Sequence, residues 1–367
     1  MKSHDRIFLS PPYVDKDELE MISRAFASKY IAPCGPQVDE FERRLAKLTE
    51  RKYAVALSSG SAAIDLLMEE FKVDEDTVVF APTLTFIATI ASAYRRGAKI
   101  VLVDSDLSGC IDSAVLERAL ETERAENKVG RFVILTVDLY GKACDAEAIG
   151  ALAKRYNAVY ISDSAEAVGA TYAGVSSAKA GDAAVLSFNG NKIITTSGGG
   201  AIVTDSKGIA ERARKRSQQS RETKLWYEHK EVGYNYRLSN ILAALGLAQL
   251  DKLDSILKKR AKIKAYYRAH LKMEEPFEEP GENNWLSVFL ADSRAKRDRI
   301  IEVLADNDIE TRPVWKPMHL QPVFKDKVTI YEGKIAETLF ERGVCLPSGS
   351  ALTEEQLKRI CDIINNV

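Results

Sequence analysis

The sequence predicts an α/β protein, with a large, mainly parallel seven-stranded sheet domain followed by a smaller C-terminal α/β domain. The first observation is a series of short β-branched runs between Tyr53 and Asp205: YAVALS, TVVFAP, KIVLVD, RFVILTVD, AVYISD, AAVLSF and GAIVTD. The second is that helix-like patterns, such as SAAIDLLMEEF and DAEAIGALAKRY, lie between them. Strands that alternate with helices imply crossover connections, and therefore a parallel sheet covered on both faces. The third is size: 367 residues, 46% hydrophobic and 29% charged, provide enough chain for about two domains with large cores.

The texture changes after Ser206. A charged helical run leads into a loop containing Tyr227 to Arg237, and a long helical pattern follows from Leu238 to about His270. From Trp285 to Val367 the chain reads as a smaller unit, with strands near WLSVFL and IETRPVW and a last helix from Thr353. A division near residue 245 gives a large domain over 1–245 and a small one over 246–367.

Composition narrows the function. The formal net charge is −1, and basic residues stand beside acidic ones, so the chain has no electrostatic footprint for nucleic acid. Five cysteines lie far apart without a CxxC pair, which implies free thiols in a reducing compartment, the cytoplasm. The start, MKSHDRIFLSPP, offers charge and proline where an export signal needs an apolar core. The apolar stretch from Val78 to Tyr94 is broken by Pro82 and several threonines, so no membrane span is expected. Four isolated histidines form no compact metal spacing. Gly141-Lys142 lacks the surroundings of a P-loop, and no GxGxxG follows a strand.

Four features remain, in one order along the sheet. YAVALS runs into Ser58-Ser59-Gly60-Ser61-Ala62 and a helix, whose first N–H groups and dipole can hold a phosphate; an ordinary N-cap is the bland alternative. VYIS ends at Asp163, a carboxylate placed where parallel sheets bind ligands, able to pair with a cationic ring nitrogen or simply to cap a helix. AAVLSF leads to Asn189-Gly190-Asn191-Lys192 and then to Ser197-Gly198-Gly199-Gly200. A lysine just past a strand and beside a glycine turn can be desolvated into an amine nucleophile, whereas most lysines are solvated surface charges. Pro82-Thr83-Leu84-Thr85-Phe86 follows another strand, and Phe86 is either core or a face for a flat ring.

The order SGSAA, PTLTF, SDSAEAVG and SFNGNKIITTSGGG, with the later GYNYRLSN (Gly233 to Asn240), RPVWKPMH (Arg312 to His319) and CLPSG (Cys345 to Gly349), resembles the DegT/StrS group of nucleotide-sugar aminotransferases. That family has the aspartate-aminotransferase (type I) fold and uses pyridoxal 5'-phosphate, which passes through pyridoxamine 5'-phosphate. The resemblance implies that Lys192 carries the cofactor covalently and then moves a proton between donor carbon and cofactor carbon. It implies that Asp163 pairs with the pyridinium nitrogen and that Phe86 stacks on the ring. The phosphate falls to Gly60, Ser61, Ala62 and Ser187, and to Asn235 of a neighbouring subunit, which makes the active unit a homodimer with shared sites. Glu166 belongs to the same cofactor set, at a position where many members carry His or Gln.

The implied reaction is a ping-pong transamination from an amino acid, expected to be L-glutamate, to a keto sugar on a nucleotide. The loops outside the cofactor set (SPP, YIAP, ETRPVWKPMH, CLPSG) resemble the bacillosamine-pathway members, which implies C4 of UDP-2-acetamido-2,6-dideoxy-4-keto-hexose as acceptor. Arg312 and Lys316 flanking Trp315 suit a nucleotide diphosphate, with Ile31 and His319 as further substrate residues. The alternative is that Trp315 packs between domains and both cations face water. A dTDP- or GDP-linked acceptor is the second reading, and a non-catalytic cofactor-binding regulator the third. Lys192 argues against the sugar deoxygenases of the same fold, which carry histidine there.

Overall fold

The computed structural model describes residues 6–126, 130–276 and 280–367. Its strands are β1 (Tyr53–Leu57), β2 (Thr77–Pro82), β3 (Lys99–Val103), β4 (Arg131–Val137), β5 (Val159–Asp163), β6 (Thr171–Tyr172), β7 (Val175–Ser176), β8 (Ala183–Ser187), β9 (Gly200–Thr204), β10 (Ser287–Leu290), β11 (Arg312–Pro313), β12 (Thr329–Tyr331) and β13 (Gly343–Leu346). All seven expected runs become strands of one sheet, ordered β1-β9-β8-β5-β4-β2-β3-β12. Strand β9 pairs antiparallel with both neighbours, and the other pairings within the sheet are parallel.

The eighth strand corrects the seven-stranded expectation. Strand β12 comes from the C-terminal part of the chain and extends the large sheet beside β3. Its three residues, Thr-Ile-Tyr, are too short a run to stand out by alternation. A second bond between the parts follows it: the Asp104 carboxylate, just past β3, accepts the Ile335 and Ala336 N–H groups at 3.0 and 2.9 Å. It thereby caps the helix Lys334–Arg342, whose own first position, Gly333, has no capping side chain.

Burial on both faces explains why the strands read as apolar runs. Val55 and Leu57 of β1, with Val79 and Ala81 of β2, meet the helices Gly60–Glu70, Ala88–Arg95 and Lys207–Arg216. Ala54 and Ala56 face the opposite way, onto the helices Pro36–Leu48 and Asn240–His270. Val78 and Phe80 point to the same side and meet Leu116, Ile149 and Leu152.

The small sheet, β10-β13-β11, is antiparallel. Alternation splits β10: Phe289 packs with Ile300, Leu304 and Ile360, while Val288 and Leu290 join the core beneath the large sheet. The helix Asn240–His270 belongs to both cores. Ala243, Leu247 and Leu253 pack under the large sheet, whereas Ile263 and Tyr267 pack with the small one.

Candidate active site

Parallel strands bring their carboxyl ends to one edge, and there the chain forms a cleft of about 330 Å³. Into it come Gly60 and Ser61 after β1, Phe86 after β2, Asp163 and Glu166 from β5 and the turn beyond, Ser187 at the end of β8, Lys192, and Trp315. Because β9 runs the other way, Gly198 and Gly199 at its approach lie at the same edge.

One end of the cleft is a helix start. Ser59 caps the helix Gly60–Glu70, its Oγ accepting the Ala62 N–H at 3.0 Å. The N–H groups of the first helical residues have no intrahelical acceptor, so those of Gly60 and Ser61 are left at the cleft wall, where the helix dipole favours an anion. Gly200 allows this close approach: a Cβ there would strike the Gly60 nitrogen. The capping reading of Ser-Gly-Ser thus holds for the Ala62 N–H, and the Gly60 and Ser61 N–H groups remain open to an anion.

Asp163 is buried at the tip of β5. No helix follows it, so the capping alternative has nothing to cap. Its Oδ2 accepts the Thr89 hydroxyl at 2.8 Å and its Oδ1 the Ala165 N–H at 3.2 Å. Burial pushes this carboxyl above its ordinary value, and those two donors, with the charge of Lys192, only partly offset it.

Lys192 Nζ lies 2.9 Å from Glu166 Oε1 and 4.0 Å from the centroid of the Trp285 ring. Glu166 is buried, accepts the Tyr140 N–H through Oε2 at 2.8 Å, and is likewise pushed up by burial. Tyr140 reaches that position with φ of 54°, a left-handed conformation unusual for a bulky residue. Its hydroxyl accepts the Trp315 N–H at 3.0 Å, so one tyrosine joins the carboxylate to the aromatic wall.

Several expected residues are elsewhere. Ala62 is absent from the cleft lining, and its N–H is already used by Ser59. Ile31 is 47% exposed and outside both cavities described here. His319 is also outside them: it is held by the Thr83 hydroxyl at 2.6 Å and Glu337 at 3.0 Å, bracing the C-terminal part against the loop after β2. Asn235 is exposed, away from the cleft of its own chain.

A wider cleft of about 750 Å³ adjoins the first through Phe86, Asn191, Trp285 and Trp315, and Arg312 and Lys316 line it. Trp315 is built into an aromatic cluster, 5.5 Å from Phe86 and 5.3 Å from Tyr140 between centroids. Arg312 is exposed and donates to Glu310 at 2.9 Å.

Sequence reasoning passed over Thr89, Tyr140 and Trp285. Thr89, three residues after Phe86, was a findable signal, being a hydroxyl in a largely apolar stretch. Tyr140 and Trp285 are brought in by the turn after β4 and by the start of the small sheet, with no spacing relation to Lys192.

The raised Asp163 carboxyl gives a prediction for the cofactor-free protein. A carboxyl that holds its proton more tightly folded than unfolded contributes full stability below about 3.8, lost as pH rises through the folded value. Asp163→Asn removes that loss. The variant should unfold at the parental temperature or above at pH 8, with its advantage shrinking as pH falls to 4, close to the ordinary value of 3.8. Calorimetry at the two pH values checks this, and a large, pH-independent destabilisation would contradict it.

The geometry can be set beside known proteins. EpsN of Bacillus subtilis (strain 168), a candidate pyridoxal phosphate-dependent aminotransferase, is 40% identical, the match covering 98% of this chain and 95% of EpsN. GDP-perosamine synthase of Caulobacter vibrioides is 35% identical over the whole of both chains. The structure of Helicobacter pylori PseC, an aminotransferase involved in the biosynthesis of pseudoaminic acid, superposes with a TM-score of 0.92 at 25% identity, covering 99% of each chain. Residues 12–365 match a single family description, and the chain belongs to the DegT/DnrJ/EryC1/StrS aminotransferase family.

Proposed function

We propose that this pyridoxal phosphate-dependent nucleotide-sugar aminotransferase works in the cytoplasm, moving an amino group from an amino acid, L-glutamate in our reading, to C4 of a nucleotide-linked 4-keto-6-deoxy sugar. The observation that carries the reading is Lys192, a single amine held between the buried Glu166 carboxylate and the Trp285 face, in one cleft with Asp163.

The residues present fit pyridoxal phosphate. Gly60 and Ser61, with Ser187, would hold its phosphate at the helix start. Asp163 would hold a proton on its ring nitrogen, which explains a carboxylate kept in a buried place that raises its pKa. Phe86 would cover a ring face. When bound, the cofactor would supply an electron-withdrawing ring beside the reacting carbon. Lys192 Nζ would be the base that takes and returns the donor's α-proton. Glu166 orients that amine, and the Tyr140 N–H fixes Glu166 in turn.

The adjoining wider cleft suits the sugar nucleotide, with Trp315 as an apolar wall and Arg312 and Lys316 as cations for the diphosphate. Ile31, His319 and Ala62 are not needed in this arrangement. The acceptor that the outer loops favour is UDP-2-acetamido-2,6-dideoxy-4-keto-hexose. A GDP-linked acceptor is the second reading, favoured by the full-length likeness to GDP-perosamine synthase. Base and substituent differences are worth a few kcal/mol, so kcat/KM for UDP-, dTDP- and GDP-linked 4-keto sugars should separate by about tenfold or more. A preference for the UDP acceptor supports the first reading; a GDP preference replaces it with the second. No amination of any of them with glutamate-treated enzyme would refute the reaction itself.

The active unit in this reading is a homodimer. Asn235 lies exposed on a segment where Leu225, Trp226, Tyr227 and Val232 are also exposed, a surface suited to a second copy. Its side chain would complete the phosphate site of that copy. Mixing Lys192→Ala with an inactive Asn235 variant should then recover up to about a quarter of the parental rate, because half the dimers have one intact site. Absence of recovery under conditions that exchange subunits would contradict the shared site.

A further inference from the structure

We propose that Arg260, which lines neither of the two clefts, is a positioning residue that fixes the Lys192 amine through Asn191 and Trp285. This rests on the reading above, that Lys192 takes the cofactor. Arg260 stands on the helix Asn240–His270, only 2% exposed, with no carboxylate partner among the described residues. Its Nε has no acceptor, and burial pulls the guanidinium down to about 10. A buried, uncompensated cation is costly, so its two remaining bonds must matter.

Those bonds have a forced polarity. A guanidinium only donates, so Trp285 O (2.6 Å) and Ser10 Oγ (3.1 Å) must accept from it. With its oxygen engaged, Ser10 directs its single proton to Asn191 O, 3.0 Å away. The Trp285 indole N–H, also donor only, reaches the same carbonyl at 2.7 Å. Both acceptor positions of Asn191 O are therefore filled, which fixes the peptide plane leading directly into Lys192. Trp285 is gripped at its carbonyl by Arg260 and at its indole by Asn191, and its ring carries the Lys192 amine at 4.0 Å. One guanidinium thus reaches the lysine by two routes, from its backbone and from its side-chain rest. A lysine at 260 would keep the charge but could not fork across both acceptors.

The test uses cofactor-free protein mixed with pyridoxal phosphate, following uptake by visible absorbance and the fixed orientation of the bound ring by visible circular dichroism. Arg260→Lys should slow uptake by about tenfold or more and alter the dichroic band, and Ser10→Ala should slow it by about two- to fivefold. The double variant should be no slower than Arg260→Lys, since both lesions cut one network. Arg260→Lys with parental uptake and parental dichroism, whatever its unfolding temperature, overturns the proposal. Should Arg260→Lys fail to fold, Ser10→Ala, which loses only a hydroxyl, decides alone by the same criterion. Failure of the parental protein to take up the cofactor would instead strike the reading of Lys192.

Discussion

The arrangement depends on one electrostatic constraint: two carboxylates, Asp163 at the end of β5 and Glu166 in the turn beyond, are buried in one cleft with the Lys192 amine, which pairs with Glu166. Burial raises both carboxyls, the Asp163 charge raises Glu166 further, and the lysine charge opposes the rise in both. Such a group of charges is costly to fold around. Its persistence makes sense where an incoming ligand brings a cation for one carboxylate and engages the amine. The parallel sheet supplies the placement, because only at the carboxyl edge can β5, β8 and the approach to β9 present these groups together.

Around that group, rigidity comes from polar atoms used to capacity. Tyr140 donates its N–H to Glu166 and accepts the Trp315 N–H on its hydroxyl. Asn283 donates its side-chain amide to the carbonyls of Glu166 and Val168, holding the turn that carries the carboxylate. The N-terminal segment takes part as well: Leu9 O accepts the Ser348 N–H at 2.7 Å, and Ser10 joins the Arg260 network. The surroundings of the site are therefore assembled from both ends of the chain, and Ser10 reaches the carbonyl of Asn191, the residue before Lys192.

What was legible in the sequence follows from what is local. The seven runs alternate buried residues to two apolar faces, so each strand announces itself, and Asp163, Ser187 and Lys192 sit at fixed distances from strand ends. Strand β12 was not legible, because three residues carry no periodicity and its partner, β3, is more than two hundred residues away. For Ala62, proximity to the Ser-Gly-Ser turn did not reveal that Ser59 takes its N–H. The placement of His319 was hidden for a similar reason, its partner Thr83 being distant in sequence. Trp285 and Arg260 escaped notice because indole and guanidinium become informative only when their acceptors, Asn191 O, Trp285 O and Ser10 Oγ, are known.

In the reading proposed for this site, Lys192, and no other lysine, is the amine that engages the cofactor. Borohydride reduction of the protein saturated with pyridoxal phosphate, followed by proteolysis and mass spectrometry, tests it directly. The expected result is a phosphopyridoxyl group on the peptide containing Asn189-Gly190-Asn191-Lys192, fragment ions placing it on Lys192, at about one per chain. A modification at another lysine in that stoichiometry, or Lys192 left unmodified in saturated protein, would contradict it.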